Sequence, residues 1–311
     1  MKKEVVMSKF QNILFVSHGL ASQNNSLDQA LKLSQLHNAK ISGLITCPAL
    51  PSSMSEYKET YQRSLVNTVN AELSSIGQDL NSFPIDIESN TKPAVSVIQH
   101  VLSGNHDLVF KEAEPASDDQ KGFKALDMKL LRKCPCPVWI SRRHSKQMAD
   151  QKVAVAIEPD VENNEEMELA IELLRTARSI ADTCNGTLEI ISCWDFLMES
   201  YLRHHIWIHV DDQILDKQVQ AMKGEHQKKL NELIEKSGIS GDIKVHHLHG
   251  SAEELIPRWV DNEDVDTLVM GTIARSGIQG LVIGNTAENI LQAIRCSLVA
   301  LKPEGFVSPI K

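Results

Sequence analysis

Asp266-Thr-Leu-Val-Met270 runs directly into Gly271-Thr-Ile-Ala-Arg-Ser-Gly-Ile-Gln-Gly-Leu-Val-Ile-Gly284-Asn285-Thr-Ala-Glu288. The apolar run has the length and content of a short buried strand, and the glycine-bearing stretch after it is a loop. Asn285, with Glu288 three positions later, has the pattern of an N-cap and capping box opening a helix over 286–295. Strand, loop and helix start converge backbone N–H groups on one point, which holds phosphate with few positive side chains. Taken by spacing alone, Gly271 and Gly284 serve equally well as turn residues.

The rest of the chain repeats one plan twice. Gln11-Asn-Ile-Leu-Phe-Val-Ser17 and Gln151-Lys-Val-Ala-Val-Ala-Ile157 are apolar strands, each followed by polar residues and a helical pattern. In the first half the helix face is Leu27, Ala30, Leu31, Leu33 and Leu36; in the second it is Met167, Ala170, Leu173, Leu174, Ala177, Ile180 and Ala181. Lys40–Thr46 and Thr187–Ser192 then return as strands, and strand–helix–strand with buried strands is the signature of a parallel sheet with right-handed crossovers. Leu130–Ile140 matches Ile290–Ala300, giving an internal repeat with a period of roughly 150 residues. The polar stretch 142–150 separates the copies, so the expected domains are 1–145 and 151–311. Each is expected to be a doubly wound α/β unit with its own five-stranded, mostly parallel sheet, the two packed through pseudo-twofold contacts.

The 311-residue chain has a net charge of −9, which argues against nonspecific binding to nucleic acid or to an anionic membrane surface. With no run of 18 apolar residues and no signal-like start, membrane insertion is not expected and the location reads as cytoplasmic. The six cysteines lack a framework spacing, and Cys134-Pro-Cys136 is not the Cys-x-x-Cys of a redox centre, so reduced structural thiols are expected.

The quoted loop and its flanks resemble those of the universal stress protein family, in its tandem two-domain form. The family loop reads Gly, two residues, Gly, nine residues, Gly, then Ser or Thr; here Gly271, Ala274, Gly284 and Asn285 occupy those places. The resemblance implies a five-stranded domain that binds ATP at the carboxyl ends of its strands, with or without Mg²⁺. An acidic residue after the first strand contacts the nucleoside, and Glu158 stands where Asp is usual. The nucleotide-binding set it implies is Glu158, Gly271, Ala274, Arg275, Gly284, Asn285 and Thr286, all in the second half.

At the corresponding place in the first half the chain runs Lys111-Glu-Ala-Glu-Pro-Ala-Ser-Asp-Asp119, without a glycine loop and rich in carboxylates. These repel a triphosphate, and this half reads as a degenerate structural partner or a site for something apolar or cationic. No catalytic set can be localised from spacing, so binding is favoured over turnover, although slow hydrolysis needs no dedicated machinery. The histidines at 204, 205, 209, 246, 247 and 249 form no recognised zinc pattern; on a strand, His247 and His249 share one face and His246 the other. The segment 196–216 is more apolar than a solvated loop requires; simple packing is expected of it, with a lid over a pocket, an interdomain contact and a homodimer contact as the alternatives. The alternative function is a nucleotide-independent scaffold or apolar-ligand binder.

Overall fold

Apolar residues alternate between two burial environments along the central strands, as strands covered by helices on both faces require. Ile13 and Phe15 of β1 (Asn12–Ser17) enter one core, and Leu14 and Val16 enter the other. The computed structural model describes residues 10–20, 25–77, 83–89, 92–114, 121–143, 146–184, 186–204, 210–272 and 283–310.

After β1 the first half continues through α1 (Ser26–His37), β2 (Lys40–Cys47), α2 (Lys58–Ser75), β3 (Ile85–Ser89), α3 (Pro93–Gly104), β4 (Leu108–Glu112), α4 (Ala125–Lys133) and β5 (Val138–Ser141). The second half contains β6 (Val153–Ala156), α5 (Asn164–Thr183), β7 (Leu188–Trp194), α6 (Met198–His204), α7 (Asp212–Ser237), β8 (Ile243–His249), α8 (Ala252–Asn262), β9 (Thr267–Gly271), α9 (Asn285–Ala293) and β10 (Ser297–Leu301). Apart from α6, the two halves match element for element.

The strand order is β3-β2-β1-β4-β5-β10-β9-β6-β7-β8. Within each half all pairings are parallel, and the first strand lies between the second and the fourth. The chain therefore reverses its direction of travel across the sheet beside β1 and again beside β6. Ligands of open α/β sheets lie outside the carboxyl ends of the strands at such points.

The two five-stranded units were expected as separate sheets, and here the structure corrects the sequence. β5 and β10 pair antiparallel, Ile140 with Leu298, Trp139 with Val299 and Val138 with Ala300, making one ten-stranded sheet. Both strands are buried along their whole length; as separate sheets they would leave two apolar edges open, and pairing satisfies both sets of backbone groups. The contacts across the junction join counterpart elements, β5 to β10 and α1 to α5, as pseudo-twofold packing requires. Between α1 and α5, the His37 ring stacks on Phe10, accepts the Phe10 N–H at Nδ1 (3.0 Å) and places Nε2 3.0 Å from Ser179 Oγ.

The predicted helix faces hold with one exception. Leu27, Ala30, Leu31 and Leu33 are buried, whereas Leu36 is exposed and His37 takes the next inward position. α5 is capped by Asn163, whose side chain accepts the Glu166 N–H at 2.9 Å. All six cysteines are free and buried, with the Cys134 and Cys136 sulfurs 3.6 Å apart. Among the described residues no helix is long and apolar enough to cross a membrane.

Candidate functional site

The second-half switch point lies between the carboxyl ends of β6 and β9, and the predicted residues that fall within the described chain gather around it. Glu158 follows β6 by two residues and Gly271 ends β9. Beyond Gly271, Thr272 is fully buried; its N–H donates to the Leu301 carbonyl at 3.2 Å, and its own carbonyl accepts the Gly284 N–H, also at 3.2 Å. That bond draws the two ends of the loop together. Thr272 was not singled out in the sequence, where nothing distinguishes it from other threonines. Ala274 and Arg275 lie outside the described residues.

Gly284, not Asn285, is the N-cap of α9, with φ −61° and ψ 145°. Asn285 and Thr286 are the first two helical residues. This corrects the expected Asn285 cap. The backbone of Gly284 is extended, so glycine is not required there by φ. The capping box does not form either: Glu288 turns away from Asn285 and pairs with Arg132 of α4 at 2.5 Å. An arginine offers the carboxylate a charged partner that a backbone N–H cannot match. A glycine N-cap supplies no side-chain oxygen to the first turn of N–H groups. At Gly271 an added Cβ would come within 3.4 Å of Leu169 and 3.7 Å of Leu173, so packing alone does not demand glycine.

The wall beside Glu158 is built by α7 and β8. Glu158 Oε1 accepts the Asp160 N–H at 3.0 Å and lies 3.7 Å from Nε2 of His226, a buried residue of α7. His226 Nδ1 is 2.8 Å from His247 Nε2, and Trp194 at the end of β7 stacks on His249 with ring centroids 4.1 Å apart. His246 points the other way, to Glu189 at 2.6 Å, so the predicted division of faces along β8 holds. Burial lowers the pKa of His226 and of His247, and for His247 the neighbouring His226 adds to the shift. Asp160 is paired with Lys229 at 2.7 Å. His226 was missed in the sequence because it stands alone in a polar helical stretch, Gly224-Glu-His-Gln-Lys228.

The segment 196–216 is divided. Phe196, Leu202 and Val210 pack against a small cluster of Trp194, Leu215 and Val219, while Leu197, Tyr201 and Ile214 stay exposed. Arg203 ties α6 to α7 through Glu199 and Asp216. His205 and His209 lie outside the described residues.

The equivalent place in the first half is filled by its own side chains. Lys111 and Asp127 are buried and paired at 2.7 Å, and Lys111 Nζ also donates to the Glu112 carbonyl at 2.7 Å. Glu114 Oε2 accepts the N–H of Leu126, the second residue of α4, at 3.0 Å. Leu126 occupies in α4 the place of Thr286 in α9. A carboxylate therefore sits on the helix start at the place where α9 has only Gly284. The pKa of His18, directly after β1, is pushed down to about 4 by burial, with Lys111 adding to the effect.

Residues 151–302 match the family model described as the universal stress protein family. The chain is similar to universal stress protein E of Photorhabdus laumondii, 29% identical with 98% of this chain and 99% of that one covered. It is also similar to universal stress protein E of Escherichia coli K12, 27% identical with 98% of each covered. Among solved structures it resembles a functionally unknown protein from Pseudomonas aeruginosa PAO1 (TM-score 0.72, 21% identity, 96% of this chain and 94% of that one). A universal stress protein from Archaeoglobus fulgidus is similar at TM-score 0.57 and 17% identity, over 94% of this chain and 98% of that one. At these identities the structural matches speak for the fold.

Proposed function

We propose, given that the chain belongs to the universal stress protein family, that it is a non-catalytic adenine-nucleotide-binding protein with one ATP site per chain. The site lies in a domain spanning 151–311, at the carboxyl ends of β6 and β9, and 1–145 is a degenerate copy that supports it. The observation that carries this reading is the contrast between the two helix starts. At α9 the cap is a glycine, whose own N–H donates to the Thr272 carbonyl beyond β9. At α4 the corresponding N–H is taken by Glu114. A helix start without a side-chain cap favours an external anion, whereas one holding a carboxylate repels it. Glu288 does not oppose phosphate at full strength, because Arg132 neutralises it. In this reading Arg275 and Thr286 also contact the phosphates, Glu158 meets the nucleoside, and Mg²⁺ accompanies the nucleotide or is dispensable.

A second reading, a protein-binding scaffold that includes a homodimer, is favoured by the exposed Leu197 (86%), Tyr201 (48%) and Ile214 (64%) clustered about α6 and the start of α7. Titration calorimetry with ATP separates the two. The nucleotide reading expects one site per chain; two equivalent sites, or none at millimolar ATP, would refute it.

A further inference from the structure

Glu158, Asp160 and His226 each offer one ligating atom, and these three atoms lie within 4.8 Å of one another. Donors on a common ion at about 2.0–2.2 Å lie at most roughly 4.4 Å apart, and the two carboxylates are on exposed loop side chains that can close the difference. Two nearby acids alone would mean little. The imidazole changes the case: His226 is only 7% exposed, and its Nε2 has no hydrogen-bond partner among the described residues while facing Glu158 Oε1 at 3.7 Å. That distance is too long for a hydrogen bond, and a buried ring nitrogen without a partner is costly.

The other ring nitrogen is already held. His226 Nδ1 lies 2.8 Å from His247 Nε2, and the tautomer with the shared proton on His226 Nδ1 turns the Nε2 lone pair toward the carboxylates. Metal-bound histidines characteristically donate their second N–H in this way, which fixes the ring and raises its basicity. His247 is in turn set against Trp194, ring centroids 5.9 Å apart. Lys229 occupies Asp160 Oδ1 and is shared with Glu225 at 3.1 Å, so one of the two Asp160 oxygens is engaged in the metal-free chain.

The geometry points to a divalent-metal site at Glu158, Asp160 and His226, for a transition ion of the Zn²⁺ class, which needs no nucleotide to fill. One nitrogen and two oxygens leave a fourth tetrahedral position for water or a ligand oxygen. The nitrogen donor selects Zn²⁺, Co²⁺ or Ni²⁺ over Mg²⁺ and Ca²⁺, which prefer all-oxygen sites.

The test uses the full, untagged chain, stripped with chelator and titrated with Co²⁺ without nucleotide, followed by displacement with Zn²⁺. One equivalent is expected, with weak visible ligand-field bands and no thiolate charge-transfer band. Glu158→Gln and Asp160→Asn, which alter exposed side chains, should each weaken binding at matched folded fraction, and His226→Ala should remove it. His247→Ala should weaken it roughly 10- to 100-fold, and His246→Ala, on the opposite face, should leave it unchanged. Absence of binding by the parent chain overturns the site, as does an intense charge-transfer band placing the ion on cysteines, or unchanged affinity in the Glu158, Asp160 and His226 variants. A chain that binds Co²⁺ but not ATP would sink the nucleotide reading and leave this one standing.

Discussion

Lys111 and Asp127 meet at 2.7 Å with 0% and 1% of their side chains exposed, at the carboxyl end of β4 where the second half has Met270 and Gly271. A fully buried pair is retained only if its partners are all satisfied, and here Glu112 and Glu114 supply backbone groups to both members. Lys111→Met should destabilise the chain by about 3–5 kcal/mol, because it strands a buried carboxylate. Adding Asp127→Leu should restore most of that loss. Denaturant melts of the singles and the double measure the coupling, and additive losses would count against it.

Gly284 allows stability and ligand affinity to be moved in opposite directions. Its extended φ admits any residue, and Asp is at least as good an N-cap as glycine, so Gly284→Asp should hold or raise stability by a few tenths of a kcal/mol. The same carboxylate would stand where a phosphate is proposed, as Glu114 stands in the first half, and ATP affinity should vanish. Asn285→Ala, inside the helix rather than at its cap, should change stability by less than about 0.5 kcal/mol. Paired melting and ATP titration decide; unchanged affinity in Gly284→Asp would remove the phosphate from this helix start.

Gly122 fastens the halves at one point. It has φ +74°, and its N–H donates to the Ile294 carbonyl at 3.0 Å. A Cβ there would lie 2.8 Å from the Gln292 carbonyl oxygen. Gly122→Ala should cost about 1–3 kcal/mol from the backbone conformation alone, with the clash in addition. Arg132→Ala, which removes a partly exposed pair with Glu288, should cost no more than about 1 kcal/mol. Thermal melting of the two variants tests the order.

Two first-half groups should give stability opposite pH slopes. His18 titrates at about 4 in the folded chain, below its ordinary 6.5, so stability falls as pH drops from about 6.5 toward 4. Glu72 is raised to about 7 by burial and by the nearby Glu112. The folded state therefore holds its proton more tightly, and the stability this contributes is lost as pH rises from about 4.5 to 7. Glu72→Gln should flatten the second slope and leave the first. Urea midpoints across pH 4 to 8 measure both: the windows overlap, so the slopes offset one another in the parent, and a Glu72→Gln chain whose stability falls no more steeply than the parent's below pH 6.5 contradicts the pair.

Apolar runs made the element order legible, because a buried parallel strand is nearly uninterrupted hydrocarbon and its crossover helix shows a single face. The joining of β5 to β10 was not legible as pairing, since nothing local to Val138–Ser141 names a partner some 160 residues away. Its trace was the full burial of two strands that would otherwise end their sheets. At the candidate site, Gly271 and Gly284 could be read from their places after a strand and before a helix, and Glu158 only through the family resemblance. The loss of the capping box was not legible because Arg132, which holds Glu288 instead, is distant in sequence. His226 could not be read at all: its burial is created by α7 packing against α5 and β7, and its partners Glu158 and His247 come from elsewhere in the fold.

The reversal of strand direction at the β5–β10 seam places the carboxyl ends of the two half-sheets at opposite poles of the molecule. Whatever occupies the crevice beside β6 thus approaches from one pole, and the Lys111–Asp127 end of the first half faces the other. A large body capping one pole leaves the opposite one open, so two partners could be carried at once without competing. Any influence of one pole on the other has to pass through β9, β10 and β5, the strands between β6 and β4, rather than through a shared cleft.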